Sequence, residues 1–189
     1  MAVKFYTADW HLNSPKVLDI YSRPFPNIDY MNDVLISMCN LFAKPEDTII
    51  HIGDFFCYGK DGEYSGRNEN PQVYLQKINS TFVNIEGNHD RNNKVKSIGK
   101  YLRTSLGPFE DVSVSHYPST DKLAKGTFLP GDIHLCGHVH DKWKYLIDSQ
   151  NQVLNINMGI DVWHYKIVSE DKLINYIKSI MDLPKIVKP

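Results

Sequence analysis

The sequence predicts an α/β fold, because short apolar segments that end in polar residues alternate with segments whose apolar residues recur at helical spacing. Five segments are predicted strands, and they cover residues 3–7, 48–52, 81–85, 112–115 and 133–136. Each is followed at once by a polar cluster that contains Asp, Asn or His. Because active residues of α/β proteins gather beyond the carboxyl ends of the strands, we expect the five clusters to share one edge.

Three helices are predicted around these strands from apolar spacing and capping residues. The second begins with Asn70 as its N-cap and Pro71 at its first helical position, where a backbone N–H has no helical partner in any case. The third follows Ser169. The apolar stripe of the first helix consists of Met31, Val34, Leu35, Met38, Leu41 and Phe42, and that of the third of Leu173, Ile174, Ile177, Ile180 and Met181.

The composition is that of an ordinary globular domain, with 42% apolar and 23% charged residues among 189. No repeat or linker divides the chain, so a single domain over residues 1–189 is predicted. The N-terminal residues 1–6 read as a first strand rather than a secretory signal, and no apolar run approaches the length of about 18 residues that a membrane span needs. We therefore expect a cytoplasmic protein without a membrane partner.

A net charge of −1 gives the chain no overall electrostatic attraction for nucleic acid. One local stretch, Arg91 to Arg103, contains five basic residues and no acidic one, and it is interpreted either as a phosphate-binding patch or as a solvated helix face. The three cysteines, Cys39, Cys57 and Cys136, form no C-x-x-C pair, which favours buried thiols over disulfides or a zinc-thiolate site.

The polar clusters supply potential metal ligands that are all nitrogen or oxygen donors. They are Asp9, His11, Asp54, Asn88, His116, His138 and His140. This set is larger than one ion uses, so we predict two divalent ions about 3.5 to 4 Å apart, with Asp54 as the bridging ligand. Such a pair clamps the attacking and leaving oxygens of a displacement at phosphorus. We expect Mn²⁺ first, with Fe, Ni²⁺ or Zn²⁺ as alternatives.

The motif order D-x-H, G-D, G-N-H-D, single H and G-H-x-H resembles the calcineurin-like metallophosphoesterase superfamily, and residues 3–169 contain all five motifs. The segments Arg23-Pro24-Phe25 and Asp161-Val162-Trp163 look like its short bacterial and phage branch. The resemblance implies a two-sheet β-sandwich flanked by helices, with the metal site at the carboxyl ends of the strands. Two positions depart from the branch, because Asn13 and Ser14 stand where Gly and His are usual.

The resemblance also implies a role for each matching residue. His89 would donate a proton to the leaving oxygen, a contribution of about 10² to 10⁴ in rate, and a hydroxide bridging the two ions would be the nucleophile. Asp90 would either orient His89 or only fix its loop. The implied ligands of the first ion are Asp9, His11 and His140, those of the second are Asn88, His116 and His138, and Asp54 is shared.

Roles are also predicted for several residues outside the ligand set. Arg91 and Arg23 are predicted to bind a substrate phosphate through the planar guanidinium group. His51 and His134 lie inside predicted strands among apolar neighbours, so they are interpreted as hydrogen-bonded core residues rather than ligands. The glycine-containing stretch between Cys57 and Asn70 is predicted to border the site.

Together these features predict a dinuclear-metal phosphoesterase that hydrolyses phosphodiesters, phosphomonoesters or both by direct attack, without a phosphoenzyme. Its expected substrate is a small or nucleotide-like phosphate ester. One alternative is a metal-dependent nuclease that acts on DNA or RNA ends, against which the net charge of −1 counts. The other is a non-catalytic scaffold with the same fold, against which the complete ligand set counts.

Overall fold

The computed structural model describes residues 2–57 and 70–182, which contain nine strands and four α-helices. The stretch 58–69, which was predicted to border the site, lies outside the described residues. The strands are β1 (Lys4–Thr7), β2 (Thr48–His51), β3 (Thr81–Asn84), β4 (Tyr101–Leu106), β5 (Phe109–Ser115), β6 (Ile133–Cys136), β7 (Tyr145–Asp148), β8 (Val153–Asn157) and β9 (Val168–Ser169). The helices are α1 (Lys16–Ile20), α2 (Ile28–Phe42), α3 (Pro71–Leu75) and α4 (Glu170–Met181). Within the described ranges, none of the helices has the length and apolar character needed to cross a membrane.

The strands form two sheets, which confirms the predicted α/β sandwich flanked by helices. The first sheet has the order β3-β2-β1-β9, in which β1, β2 and β3 are parallel and β9 is antiparallel to β1. The second has the order β4-β5-β6-β8-β7, in which β5, β6 and β8 are parallel and the edge strands β4 and β7 are antiparallel. The parallel strands direct the loops that follow them to a common edge.

Two apolar cores cover the two faces of the first sheet. On β1, Phe5 belongs to the core shared with α2, whereas its neighbour Tyr6 belongs to the core shared with the second sheet. Ile49 and Ile50 divide in the same way on β2, as the alternation of side chains along a strand requires. The second core also contains the buried face of α4. The first sheet is therefore the central layer that fixes the positions of β1 and β2.

The buried face of helix α2 differs from the apolar stripe predicted for this helix. Its buried face begins at Ile28 and continues through Met31 and Leu35, whereas Leu41 is 73% exposed and Phe42 is 42% exposed. The prediction was wrong for these last two residues because the buried face continues through Ile36 and Cys39 to Ala43 instead. Sequence periodicity identified the helix but not its rotation about its own axis.

The caps predicted for the second and third helices are present at α3 and α4. The side chain of Asn70 accepts a hydrogen bond from the backbone N–H of Gln72 at 3.0 Å, and Pro71 occupies the first helical position. The Ser169 hydroxyl accepts one from the N–H of Lys172 at 3.4 Å and begins α4. Most of the predicted stripe of α4 faces the core, but Met181 at its end is 61% exposed.

The basic stretch from Arg91 to Arg103 is not a helix face. Residues 91–99 form turns and irregular backbone, and Tyr101 begins the edge strand β4. Arg103 contacts Asp132 at 2.7 Å and thereby joins β4 to the loop before β6. The helical interpretation was therefore wrong, and the other cations of the stretch are exposed beside the loops that follow β3.

Both histidines predicted to be core residues are fully buried. The Nδ1 atom of His51 lies 2.8 Å from the side-chain oxygen of Asn84. His134 lies between the Ser113 hydroxyl, 2.8 Å from Nδ1, and the Tyr117 carbonyl, 3.0 Å from Nε2. These contacts suit a neutral ring that donates from Nε2 and accepts at Nδ1. The three cysteines are also buried and unpaired, as predicted.

Burial lowers the pKa of His134 to about 4 from an ordinary value of 6.5. The unfolded chain therefore takes up a proton between these two pH values that the folded protein does not, and stability falls as the pH is lowered through this range. The contribution of His134 is fully present above pH 6.5, and we expect about 3 kcal/mol of it to be lost by pH 4.

Urea unfolding of the wild type and His134→Gln at several pH values tests this expectation. The difference in unfolding free energy between the two proteins should shrink as the pH falls from 6.5 to 4. A difference that stays constant over this range would mean that folding does not lower the pKa of His134.

Candidate metal centre

The loops after five strands bring the predicted metal ligands together at one edge of the sandwich. Asp9 and His11 follow β1, Asp54 follows β2, and Asn88 follows β3. The remaining ligands are His116 after β5 and the pair His138 and His140 after β6. Both sheets therefore contribute to the cluster, as their parallel strands predict.

The first group consists of Asp9, His11 and His140, whose potential ligand atoms all lie within 4.8 Å of one another. All three side chains are buried, and the rings of His11 and His140 are stacked with centroids 5.0 Å apart. The Nε2 atom of His11 lies 3.6 Å from a carboxylate oxygen of Asp54. It has no hydrogen-bond partner within the described part of the chain although it is buried, so a bound cation would satisfy it.

The second group consists of Asp54, His116 and His138, again with ligand atoms within 4.8 Å of one another. The Nε2 atom of His116 lies 3.2 Å from a carboxylate oxygen of Asp54. The side-chain oxygen of Asn88 lies 3.0 Å from His116 Nε2 and 3.1 Å from His138 Nδ1. Asp54 is a member of this group and also lies beside the first group.

His89 lies at the open side of these groups, and with His11 and Asp54 it forms a third group whose potential ligand atoms lie within 4.8 Å of one another. Its side chain is 48% exposed, and its Nε2 atom lies 3.9 Å from the Asp54 carboxylate. The backbone N–H of His89 donates to the other oxygen of Asp54 at 2.8 Å, which fixes the loop against the carboxylate. A half-exposed imidazole beside the ligands is placed to exchange protons with a molecule that enters the site.

Most of the predicted ligands adopt a backbone conformation that side chains rarely accept. Positive φ angles are found at Asp9 (59°), His11 (49°), Asp54 (60°), His138 (71°) and His140 (50°). Each such residue costs about 1 to 3 kcal/mol unless its surroundings impose the conformation, and residues of this kind concentrate at functional sites. The strain is independent evidence that these loops are built for a function.

Three glycines allow the backbone to approach the two carboxylates closely. A side chain at Gly87 would meet the carboxylate and the backbone nitrogen of Asp54. A Cβ atom at Gly137 or Gly159 would lie 2.9 or 2.8 Å from a carboxylate oxygen of Asp9. Gly87 and Gly137 belong to the G-N-H-D and G-H-x-H motifs, so these two glycines serve the packing around the ligands.

The buried charges of the site depend on one another. Burial raises the pKa of the Asp9 carboxyl. Burial acts in the same direction on Asp54, but the nearby His116 ring outweighs it and holds the pKa of that carboxyl below its usual range. Burial alone would lower the pKa of His116, but the Asp54 carboxylate reverses this and raises it to about 9. Buried carboxylates that need a positive partner are suited to divalent cations.

The outer ring nitrogens of three predicted ligands are held by neighbouring groups, which sequence reasoning missed. Each of these histidines has a partner at Nδ1, and His11 and His116 direct Nε2 toward Asp54. A partner on the second ring nitrogen is typical of metal-binding histidines. The pairs are His11 with Cys57 Sγ at 3.3 Å, His116 with the Ile52 carbonyl at 2.9 Å and His140 with the Asp161 carboxylate at 3.2 Å. Tyr21 also stacks on His140 with ring centroids 3.6 Å apart.

Arg23 does not face the space where a substrate would lie. Its buried guanidinium donates two hydrogen bonds to Asp161, at 2.8 and 2.9 Å. It also donates to the carbonyls of Trp10 and Asp9, at 2.8 and 2.7 Å, and contacts the sulfur of Met31 at 3.6 Å. These contacts use all five N–H donors of the side chain. The geometry therefore contradicts the predicted phosphate contact and makes Arg23 a residue that positions the Asp9 loop and Asp161.

We expect Arg23→Met to destabilise the protein by about 3 to 5 kcal/mol, because it leaves the Asp161 carboxylate buried without its cation. Urea unfolding measures the change. The control is Lys77→Met, since the pair of Lys77 with Asp33 is exposed, spans 4.0 Å and is worth at most about 1 kcal/mol. Equal losses in the two variants would contradict the role given to Arg23.

Asp90 fixes the loop rather than orienting the His89 side chain. It is fully buried, and its carboxylate accepts backbone hydrogen bonds from Asp54 (3.0 Å), Phe55 (3.0 Å) and Gly87 (2.8 Å). It therefore ties the loop after β2 to the loop after β3. Of the two predicted roles of Asp90, the geometry favours the structural one.

The two residues that depart from the resembled branch are buried beside the site. Asn13 has a φ angle of 64°, a conformation that Asn tolerates better than most residues, so the loss of the usual Gly is accommodated. The side chain of Asn13 donates to the Cys57 carbonyl at 3.3 Å, and Ser14 is also buried. The position of the usual His is thus occupied by a small buried residue in this chain.

The described residues define an α/β sandwich with His and Asp groups able to hold metal ions. No family model matches the chain. It is 23% identical to the uncharacterized protein MJ1445 of Methanocaldococcus jannaschii over 92% of this chain and 90% of that protein. The crystal structure of AQ665 from Aquifex aeolicus, a protein of unknown function, shares the fold with a TM-score of 0.68 and 19% identity over 93% of this chain and all of that one.

A weaker likeness links the chain to the Pseudomonas putida nuclease MPE. The TM-score is 0.44 and the identity 17%, over 82% of this chain and 78% of the nuclease. A likeness at this level carries no argument about activity.

Proposed function

We propose that the protein is a metal-dependent hydrolase of phosphate esters that uses two divalent ions. The observation that carries this proposal is the position of Asp54, whose carboxylate lies 3.6 Å from His11 on one side and 3.2 Å from His116 on the other. One carboxylate shared by two groups of ligands is the arrangement that a pair of ions about 3.5 to 4 Å apart requires. The unpaired Nε2 atom of buried His11 and the glycines packed against the carboxylates support the same conclusion.

When bound, the two ions would ionise a water molecule near neutral pH and neutralise charge on the attacking and leaving oxygens of a phosphate ester. The chain's own residues would supply the remaining functions. His89, half-exposed beside Asp54, would give a proton to the leaving oxygen from its ring. Arg91, exposed beside Asn88, would bind a non-bridging phosphate oxygen through its guanidinium group. Asp161 and Arg23 would hold His140 and the Asp9 loop in place.

The proposed ions are Mn²⁺ first, with Fe, Ni²⁺ or Zn²⁺ as alternatives, because imidazole and carboxylate ligands suit all of them. The proposed substrates are small or nucleotide-like phosphate diesters, monoesters or both. Burial raises the pKa of the Cys57 thiol to about 12. The Cys57 sulfur contacts the outer nitrogen of His11.

Hydrolysis of a matched aryl phosphate monoester and diester by chelator-treated protein tests the proposal. Turnover should be absent without metal and return when Mn²⁺, Ni²⁺ or Zn²⁺ is added, and the ratio of the two rates would identify the preferred ester. Protein that binds two ions but hydrolyses neither ester would contradict the proposed phosphoesterase activity.

A further inference from the structure

A cavity of about 990 Å³ opens beside the second group of ligands. Its walls come from the loop after β3, the start of β4, the loop after β5 and residues 123–127. Asn88 lines both this cavity and the second group, in which its oxygen lies 3.0 Å from His116. Tyr117 also joins the two, since it lines the cavity and its ring centroid lies 4.7 Å from that of His138. The cavity is therefore continuous with the candidate metal centre.

The cavity carries an excess of positive charge in a chain whose net charge is −1. Arg91, Lys100 and Lys125 line it, against the single carboxylate of Glu86. Across residues 2–57 and 70–182, no ion pair involves any of the three cations. Three unpaired cations around one concave surface favour an anionic ligand.

The same cavity also exposes apolar surface. Tyr101 is 56% exposed and Leu123 is 58% exposed, and both line the cavity. Tyr101 is paired with Ser115, the residue before His116, so its backbone position is fixed relative to the ligands. An exposed aromatic ring among cations is suited to a planar group that carries negative charge.

We propose that this cavity is a subsite for the nucleoside and second phosphate of a nucleotide whose first phosphate lies at the metal centre. The inference rests on the proposed function and names its substrate class. Tyr101 would stack on the base, and Lys100 and Lys125 would bind the second phosphate. The cavity volume of about 990 Å³ suits one nucleotide unit, and the absence of overall positive charge favours a short ligand over a long strand.

Binding of thymidine 3′,5′-bisphosphate and of the two thymidine monophosphates tests the subsite without relying on turnover. NMR spectra of the ¹⁵N-labelled full chain would be recorded with each nucleotide, before and after addition of diamagnetic Zn²⁺. The bisphosphate should bind about fivefold or more tightly than either monophosphate, as expected for a second phosphate facing exposed lysines. Its largest additional shifts should fall at residues 99–101 and 123–127.

Substitutions test which side chains produce the preference for the bisphosphate. Lys100→Gln and Lys125→Gln should each reduce the preference for the bisphosphate by about threefold to fivefold. Tyr101→Ala should weaken binding of all three nucleotides. The control, Lys178→Gln, removes an exposed lysine from α4 and should leave the preference unchanged.

The outcomes distinguish failure of the proposed subsite from failure of the proposed phosphoesterase activity. Equal binding of bisphosphate and monophosphates, or a preference untouched by both lysine variants, would overturn the subsite even in an active phosphoesterase. A lysine-dependent preference in a protein without metal-dependent hydrolysis would support the subsite and contradict the proposed activity. A 12-nucleotide strand that binds far more tightly than the bisphosphate, with steep salt dependence, would overturn the assignment to a short ligand.

Discussion

Replacing Asp54 with Ala should lower metal-dependent hydrolysis by about 10³-fold or more while the protein stays folded. Its carboxylate lies 3.6 Å from His11 and 3.2 Å from His116. Its loss would remove the ligand that the two proposed ions would share, and each ion would be worth several kcal/mol to the transition state. The backbone of the loop should persist, because the Asp90 carboxylate holds the N–H groups of Asp54 and Phe55.

Rates would be measured with saturating Mn²⁺ on an aryl phosphate diester, and bound metal would be counted in the same samples. The matched control is Asp33→Ala, which removes a carboxylate that is 74% exposed on α2. We expect it to retain wild-type activity and metal content. An Asp54→Ala protein that binds two ions and turns over within about tenfold of wild type would remove Asp54 from the site.

His89→Asn should lower the rate on an alkyl phosphate ester by about 10² to 10⁴, because a poor leaving oxygen needs a proton as it departs. The effect on a nitrophenyl ester should be much smaller, since that leaving group departs without protonation. The side chain of His89 is 48% exposed, although its ring lies near enough to His11 and Asp54 to join them around an ion. Because the proposed ligands of the two ions do not include His89, we expect its replacement to leave the bound metal in place.

His164→Asn is the control for this measurement. His164 is exposed and adopts a positive φ of 56°, which Asn accepts, so the substitution should not disturb the backbone. Equal losses on both esters in His89→Asn, together with loss of bound metal, would show that His89 is a ligand rather than a proton donor.

The sequence predicted that these Asp, Asn and His side chains gather at one edge of the sandwich, because the patterns that carry them are local. A strand followed by D-x-H, G-D or G-H-x-H already fixes which loop carries each side chain, and parallel pairing then brings the loops together. The caps Asn70 and Ser169 were predicted for the same reason, since each acts on a backbone N–H two or three residues away.

Features that depend on distant partners were missed or misassigned. Arg23 binds Asp161, which lies 138 residues further along the chain, and Asp90 binds the backbone of Asp54 from 36 residues away. No local pattern distinguishes such buried positioning residues from residues that contact substrate. The edge strand β4 was missed because its alternating exposed residues include charged and polar ones, and with it the cavity that β4 helps to form.

Anomalous diffraction from crystals grown with Mn²⁺ tests the two-ion site most directly. We predict two peaks about 3.5 to 4 Å apart on either side of the Asp54 carboxylate. One should lie beside Asp9, His11 and His140, and the other beside Asn88, His116 and His138. A single peak, or ions bound away from Asp54, would contradict the dinuclear centre on which the proposed function depends.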